Sequence, residues 1–583
     1  MKYLIHIIII SILSIGLSLA QTPVSNFRNF ANEKEYEKAG ELAQQVLNEN
    51  PNDFDIAMEV GDVYTELEEY SKALNAYSKA RSISDKGNKA LAKHARTLTA
   101  LERSKEAIEE LKKPLEKDKK NMELLIALAD AYLHSGDVKN AEVQINNARS
   151  IDNKNAEVFI MLGNIYYDQS IWELARTNFE DALKLNPNDV LARQRLAEVY
   201  WKLAVAADNA GEPDLLNEYL KRSLEECNTL VQNDPKDANS WRLKGQIHFN
   251  ANQNLDAAQS YNKFIELRPN NHKERWRLAE ILANNGVCDE AIPHLEVISK
   301  RTPDDVITDS VVLNAQLFLA TCYYKEKRYE EATKTFDVAA AYMKTLNYRN
   351  MLNATDVKIW ALSYLFLGDT TNALTTFNEL FEMAPAENCD IMLLVGARIC
   401  NPRKMYSEVI RILSLRNTTC DADENTPYCY YLIGTANFEL KNIDASIAAL
   451  QKSIEVNPQY YYAYIYLGDV YINQKNVAEG EKLFNFVIDN AKADVTKYSN
   501  ELNIAFQKLA GQKLDAKKYG DLQKIAKQWL DLLPDKNEYA YLYLAVAYQG
   551  LGDQPNACKN YREVLKINPD NKAAKDNIKN LGC

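Results

Sequence analysis

Nine cysteines and six histidines are the residues of this 583-residue chain best suited to metal, redox or nucleophilic chemistry, and their spacing does not favour it. His94, His134, His248, His272 and His294 are scattered along the mature chain, with no HExxH pair to set two imidazoles on one helix face. No two cysteines form a CxxC pair, so zinc and dithiol chemistry lack their usual framework. There is no GxSxG elbow, no GxxxxGK[ST] phosphate cradle and no GxGxxG following a strand. Acidic pairs such as Glu68-Glu69 and Glu225-Glu226 fall on polar helix faces, where solvation accounts for them. The expectation is a non-enzyme without cofactor or metal. Cys389, Cys400, Cys420 and Cys429 crowd one irregular stretch and are candidates to cross-link it, while Cys227 falls at a core position. The odd cysteine count leaves one thiol free or one intermolecular bond.

The elements that carry these residues repeat. Ala39, Ala73, Ala107, Ala141 and Ala175 succeed one another every 34 residues, and Pro235, Pro269 and Pro303 keep the same step. Gly61, Ala95, Ala129, Gly163 and Ala197 repeat likewise, as do Tyr64, Tyr132, Tyr166 and Tyr200 with Leu98 in the gap. Each period reads as helix, short turn, helix. In residues 156–189, Phe159, Leu162, Gly163 and Tyr166 mark one face at i, i+3, i+4, i+7, and Ala175, Phe179 and Ala182 mark the facing stripe. Small residues let the two helices approach, aromatics fill the wedge beside them, and Asn186-Pro187 ends the second helix because a residue before proline resists the α region.

Composition agrees with helix throughout: only 19 Gly and 16 Pro, with 46% hydrophobic residues to supply a core. A net charge of −12 offers no bulk attraction to nucleic acid or anionic lipid, so neither is expected as a main partner. Lys2, an apolar run over 4–17 and Ser18-Leu19-Ala20 before Gln21 read as a cleaved secretory leader, with an uncleaved anchor as the rival reading. No later stretch approaches the ~18 apolar residues that span a bilayer. The mature chain is therefore expected outside the cytoplasm: periplasmic first, cell-surface or secreted otherwise, meeting membranes only through partners.

The W/Y–L–G–Y then A–F–A–P arrangement resembles the tetratricopeptide repeat family, best at 54–86, 156–189, 238–271, 354–387, 427–460 and 538–571. The resemblance implies an all-α tetratricopeptide (TPR) α-solenoid, a right-handed superhelix of about 15 helical hairpins. The expected organisation is a leader at 1–20, an N-terminal array at 21–203, an insertion within a repeat at 204–218, and a central array at 219–386. An irregular Cys-rich hairpin at 387–426, a C-terminal array at 427–570 and a capping helix at 571–583 complete it. Further irregularities lie near 302–312, 344–353 and 493–534. Two tripeptides, Asp309-Ser310-Val311 and Asp369-Thr370-Thr371, resemble O-glycosylation sites of exported Bacteroidota proteins.

In this family the first helix of each hairpin lines the concave groove, and counting from each small eighth residue places the inward positions here. They include Tyr167, Arg195, Trp201, Arg242, Phe249, Lys273, Trp276 and Arg277, a mixture of aromatics and guanidinium groups suited to peptide or carboxylate capture. A solvated helix face is the alternative reading. A second inward set is tyrosine-rich: Tyr428, Tyr431, Tyr462, Tyr466, Tyr539 and Tyr543, suited to interfaces or glycans, or else simply part of the repeat core. The family's chaperone-type carboxylate clamp is not expected. Lys273 and Arg277 match its third repeat, but Gln194, Glu198 and Leu243 stand where its other ligands belong. The resulting expectation is a scaffold or adaptor for proteins or peptides in a bacterial envelope assembly, such as outer-membrane protein maturation or secretion. Glycan binding by the tyrosine face and a structural spacer with no groove ligand are the alternatives.

Overall fold

The computed structural model describes residues 22–84, 88–346, 352–535 and 537–583; the expected leader lies outside them. The described residues form α-helices joined by short turns, with three brief 3-10 or π segments and no strand.

The hairpin read at 156–189 is typical. Its helices Ala156–Asp168 and Trp172–Leu185 pack across Gly163, where an added Cβ would stand 2.6 Å from the Phe179 ring. The register alanines Ala39, Ala73, Ala107, Ala141 and Ala175 are all 0% exposed, so the five-fold spacing marks helix-packing positions. Between the two helices of a hairpin the chain passes through one left-handed residue: Lys34, Glu68, Glu102, Gly136 and Ser170 all have positive φ and keep the same 34-residue step. Between hairpins, an Asp or Asn side chain caps the next helix. Asp53, Asn121, Asp189 and Asn271 each accept a backbone N–H from three residues on, satisfying a donor the helix leaves open.

Two compact units emerge, Met1–Arg349 and Asn350–Cys583. Their boundary falls within the irregularity near 344–353, of which residues 347–351 lie outside the described set. The segments 204–218 and 387–426 are each internal to one unit. The first is the tip of a longer hairpin: helices Val190–Ala210 and Pro213–Asn233 run 21 residues each, joined at left-handed Gly211. The surplus is thus absorbed as extra turns on two paired helices.

The segment 387–426 is a hairpin in disguise. A short helix Cys389–Leu393 runs into a π-helical stretch Leu394–Cys400 and turns into helix Tyr406–Thr419. Gly396 takes the small-residue role against Leu413. Arg416, 1% exposed, donates to the Cys389 carbonyl at 3.2 Å and to Asp423 Oδ2 at 2.6 Å. In the second unit, helix Ser499–Asp515 and helix Tyr519–Leu532 make one long hairpin around buried Trp529, stacked on Phe506. The last helix, Lys572–Leu581, covers the end of the stack with Ala574, Ile578 and Leu581.

Of the four cross-linking candidates, Cys389 and Cys420 are bonded, whereas Cys400 and Cys429 are not. Both face the core and are 0% exposed. Two disulfides were not foreseen: Cys288–Cys322 joins consecutive hairpins of the first unit, and Cys558–Cys583 ties the capping helix to the helix it covers. Cys227 is a buried thiol.

Candidate functional site

The first unit turns back on itself. Residues at the hairpin turns of the first two repeats meet residues far along the chain: Lys34 pairs with Asp234 across a separation of 200, and Lys236 reaches Glu33 at 2.7 Å. Arg242 reaches Glu68 at 2.6 Å, Asn270 donates to Glu37 at 3.0 Å, and the Arg268 guanidinium lies 4.8 Å from the centre of the Tyr36 ring. Arg268 is 5% exposed, and burial pulls its pKa below the ordinary guanidinium value. Burial and the Asp237 charge push the Glu66 carboxyl up. Beside this closing contact lies an open cavity of about 320 Å³ whose charged lining includes Glu66, Glu68, Glu274, Asp304, Arg242, Arg268 and Lys273.

The expected groove set divides around this feature. Arg242 and Lys273 share the cavity, and Arg242 is committed to Glu68, Asn239 and the Phe264 ring. Among the described residues Lys273 has no ion pair. Arg277, on the same helix, donates to the Tyr261 hydroxyl at 3.2 Å and pairs with Glu274 at 3.1 Å, while Trp276 packs on Phe318. Tyr167 sits edge-on to Trp172 at 5.1 Å. Trp201 packs beside Cys227, Leu230, Leu243 and Ile247. Arg195 pairs with Glu198 at 2.8 Å and lines a separate cavity of about 190 Å³ with Arg96, Asp130 and Glu157. Phe249 is 41% exposed and stands apart. The repeat position puts these side chains on successive first helices, but internal partners take up most of them. Glu68, expected on a solvated helix face, instead lies in a hairpin turn and pairs with Arg242. The helix-end residues Glu37 and Glu66 and the buried Arg268 were missed, because nothing local distinguishes them from solvated charges.

The tyrosine set divides too. Tyr428, Tyr431, Tyr462 and Tyr466 come together on helices Thr426–Glu439 and Tyr461–Asn473 of successive hairpins. Tyr431 is their hub, with ring centroids 6.4 Å from Tyr428, 6.5 Å from Tyr462 and 5.8 Å from Tyr466. Tyr460, at the cap of the second helix, joins at 5.8 Å, and Phe438 meets Tyr466 edge-on at 5.9 Å. The run Tyr460-Tyr461-Tyr462 was the visible sign of Tyr460. Tyr539 and Tyr543 lie elsewhere: Tyr539 is 53% exposed, and Tyr543 leans on Trp529.

Chemistry of the catalytic kind finds little footing. Burial pushes the Cys227 thiol up to about 12 and the Cys400 and Cys429 thiols up to about 11, which keeps them protonated and poorly nucleophilic. His294, half-buried beside Arg275, is pulled down to about 4, whereas Asp130 raises His134 to about 9. Among the described residues no group of three or more His, Cys, Asp or Glu could hold a metal ion, and no helix is long and apolar enough to cross a membrane.

Comparison with known proteins places the repeats. Tetratricopeptide repeat profiles match residues 98–165, 427–460 and 539–571, and a TPR repeat profile matches 163–203. A TPR repeat-containing protein of Methanocaldococcus jannaschii is 21% identical over 365 residues, covering 54% of this chain and 61% of that protein. The match thus spans less than two thirds of that relative's length. Among solved structures, a TPR protein of Thermus thermophilus is 19% identical, covering 34% of this chain and 100% of its own, with a TM-score of 0.29. A tetratricopeptide repeat protein from Parabacteroides merdae is 16% identical, covering 45% and 96%, with a TM-score of 0.30. Since the 34-residue register, the buried small residues and the matched segments coincide, the chain is a tetratricopeptide-repeat protein, an all-α solenoid of a kind that generally serves as a non-enzymatic scaffold for protein interaction.

Proposed function

We propose that this scaffold is an adaptor of a bacterial cell envelope, holding protein or peptide segments during outer-membrane protein maturation or secretion. The observation that carries the binding part is the cavity of the first unit, into which Lys273 opens without an internal ion pair while Arg242 and Arg268 border it. The lining carries more carboxylates than basic groups, so the guest that fits is neutral: Lys273 can donate to a partner backbone carbonyl there. Export is supported by the leader pattern at 1–20 and by three disulfides, bonds that persist in oxidising compartments.

The test is cross-linking in intact cells followed by recovery of the chain from envelope and cytoplasmic fractions. The chain is expected in the envelope fraction with discrete cross-linked partners, which a Lys273→Glu variant loses. Recovery from the cytoplasm alone overturns the address, and recovery without any partner overturns the adaptor. Glycan binding rests on the tyrosine cluster, but the carboxylates beside those rings favour a different guest.

A further inference from the structure

We propose that the cluster of Tyr428, Tyr431, Tyr460, Tyr462 and Tyr466 is a seat for a lysine or arginine side chain presented by a partner protein. This deepens the interaction-scaffold reading and rests on it.

The five phenols and Phe438 form one contiguous aromatic cluster on two successive hairpins, and each of these residues is half-buried. None of the five hydroxyls hydrogen-bonds to a described residue, in contrast to Tyr77, Tyr323 and Tyr561, whose hydroxyls are all taken. The rings also lack a cation. Elsewhere the chain covers its own aromatic faces: Lys72 lies over Tyr64 at 5.3 Å, Arg222 over Tyr200 at 5.8 Å, Arg277 over Tyr261 at 5.7 Å and Arg328 over Tyr323 at 4.3 Å. Among the described residues no Lys or Arg does this for the cluster.

Carboxylates outnumber cations around the rings. Glu439 and Asp469 act on Tyr466, Asp469 on Tyr431, and Glu501 on Tyr460 and Tyr462. Arg398 bears on Tyr428 alone, and Lys508 is engaged with Asp469 at 2.7 Å. A ring face carries negative quadrupolar potential, so a guanidinium or ammonium entering here meets aromatic faces and carboxylates of the same sign together. A neutral sugar gains from the ring area but nothing from the carboxylates.

The experiment uses the leaderless full chain and a fluorescent peptide of alternating arginine and serine, with its citrulline counterpart as the neutral control, at physiological salt. Anisotropy should show the arginine peptide binding and the citrulline peptide binding at least about tenfold more weakly. Tyr431→Leu with Tyr466→Leu, which keeps apolar bulk but removes the π faces, should weaken the arginine peptide about tenfold, whereas the paired Tyr→Phe changes should stay within about twofold. Glu439→Gln with Glu501→Gln, both away from the core, should cost about threefold, and distant Glu382→Gln nothing measurable. Equal affinity of the Tyr→Leu and native proteins overturns the proposal. So does an equal loss from Glu382→Gln, which would mean general charge attraction, or tyrosine-dependent binding of a cello-oligosaccharide without the arginine peptide. If the Tyr→Leu chain still recovers the cross-linked partners, the adaptor reading stands and only this seat falls.

Discussion

Arg242 sets its Nη1 2.6 Å from Glu68 Oε1, joining the first helix of the Ala238–Asn250 hairpin to the turn that follows helix Phe54–Glu66. Glu68 is itself the left-handed residue of that turn, and its neighbour one repeat earlier, Lys34, plays the same part toward Asp234. The closing contact is therefore made by turn residues that the repeat register presents on one edge. Reversing one charge should loosen it. Glu68→Lys is expected to speed hydrogen exchange about two- to fivefold at 36–39 and 238–242, as loss of a half-exposed pair worth ~0.5–1 kcal/mol requires. Adding Arg242→Glu should restore protection, and exchange at 450–456 should not change.

The turn register makes a second prediction. Lys475 holds φ 65°, a conformation costly for any residue with a Cβ. Lys475→Gly should stabilise the chain by about 0.5–1 kcal/mol in urea unfolding, less than the full conformational penalty because glycine also loosens the unfolded chain. The converse change, Gly136→Lys at φ 81°, should cost about 1 kcal/mol.

Thiol counting checks the covalent framework. The native protein should resist labelling, since Cys227, Cys400 and Cys429 are buried. Denaturation without reductant should expose these three, and reduction all nine. Cys583→Ser opens a bridge closing a loop of 25 residues, a constraint of about 3 kcal/mol, and should accelerate exchange throughout Lys572–Leu581.

Helix approach predicts the fate of Gly163. A Cβ there meets Phe179 at 2.6 Å, so Gly163→Ala should cost about 1 kcal/mol and Gly163→Val about 2–3 kcal/mol, read as a fall in the urea midpoint. Phe179→Leu in the Gly163→Ala background should recover part of the loss by yielding the space.

Acid should act through His294. Its folded pKa of about 4 lies below the unfolded value near 6.5, owing to burial and the adjacent Arg275 charge. The folded state thus binds the proton less readily than the unfolded one. The contribution is full above pH 6.5 and is lost as pH falls toward 4. His294→Gln should flatten this part of the stability profile by on the order of 1–2 kcal/mol, after discount for solvent screening.

The repeat was legible in the sequence because its stabilising contacts are short-range. Gly163 meets Phe179 within one hairpin, and the left-handed turn and the Asp or Asn cap recur at fixed offsets from the same alanines. The hairpin at 387–426 was less legible, since a π-helical stretch shifts its small residue, Gly396, out of register. The tyrosines were half legible. Adjacent first helices brought four of them together, whereas Tyr539 and Tyr543, two hairpins beyond Tyr466, could not join.

Helical hairpins, their small-residue seams and the surface each first helix presents thus follow from residue order alone, because each hairpin contacts little besides its neighbours. The tertiary structure decided which surfaces stay open. The small rotation from each hairpin to the next accumulates until Lys34 meets Asp234 and Glu68 meets Arg242, taking up the groove residue Arg242 with a partner far back along the chain. Cys288 and Cys322, one repeat step of 34 residues apart, bond between neighbouring hairpins, whereas Cys400 and Cys429 stay unbonded. The closing contacts depend on summed geometry rather than on local preference, and no spacing within a single repeat encodes them.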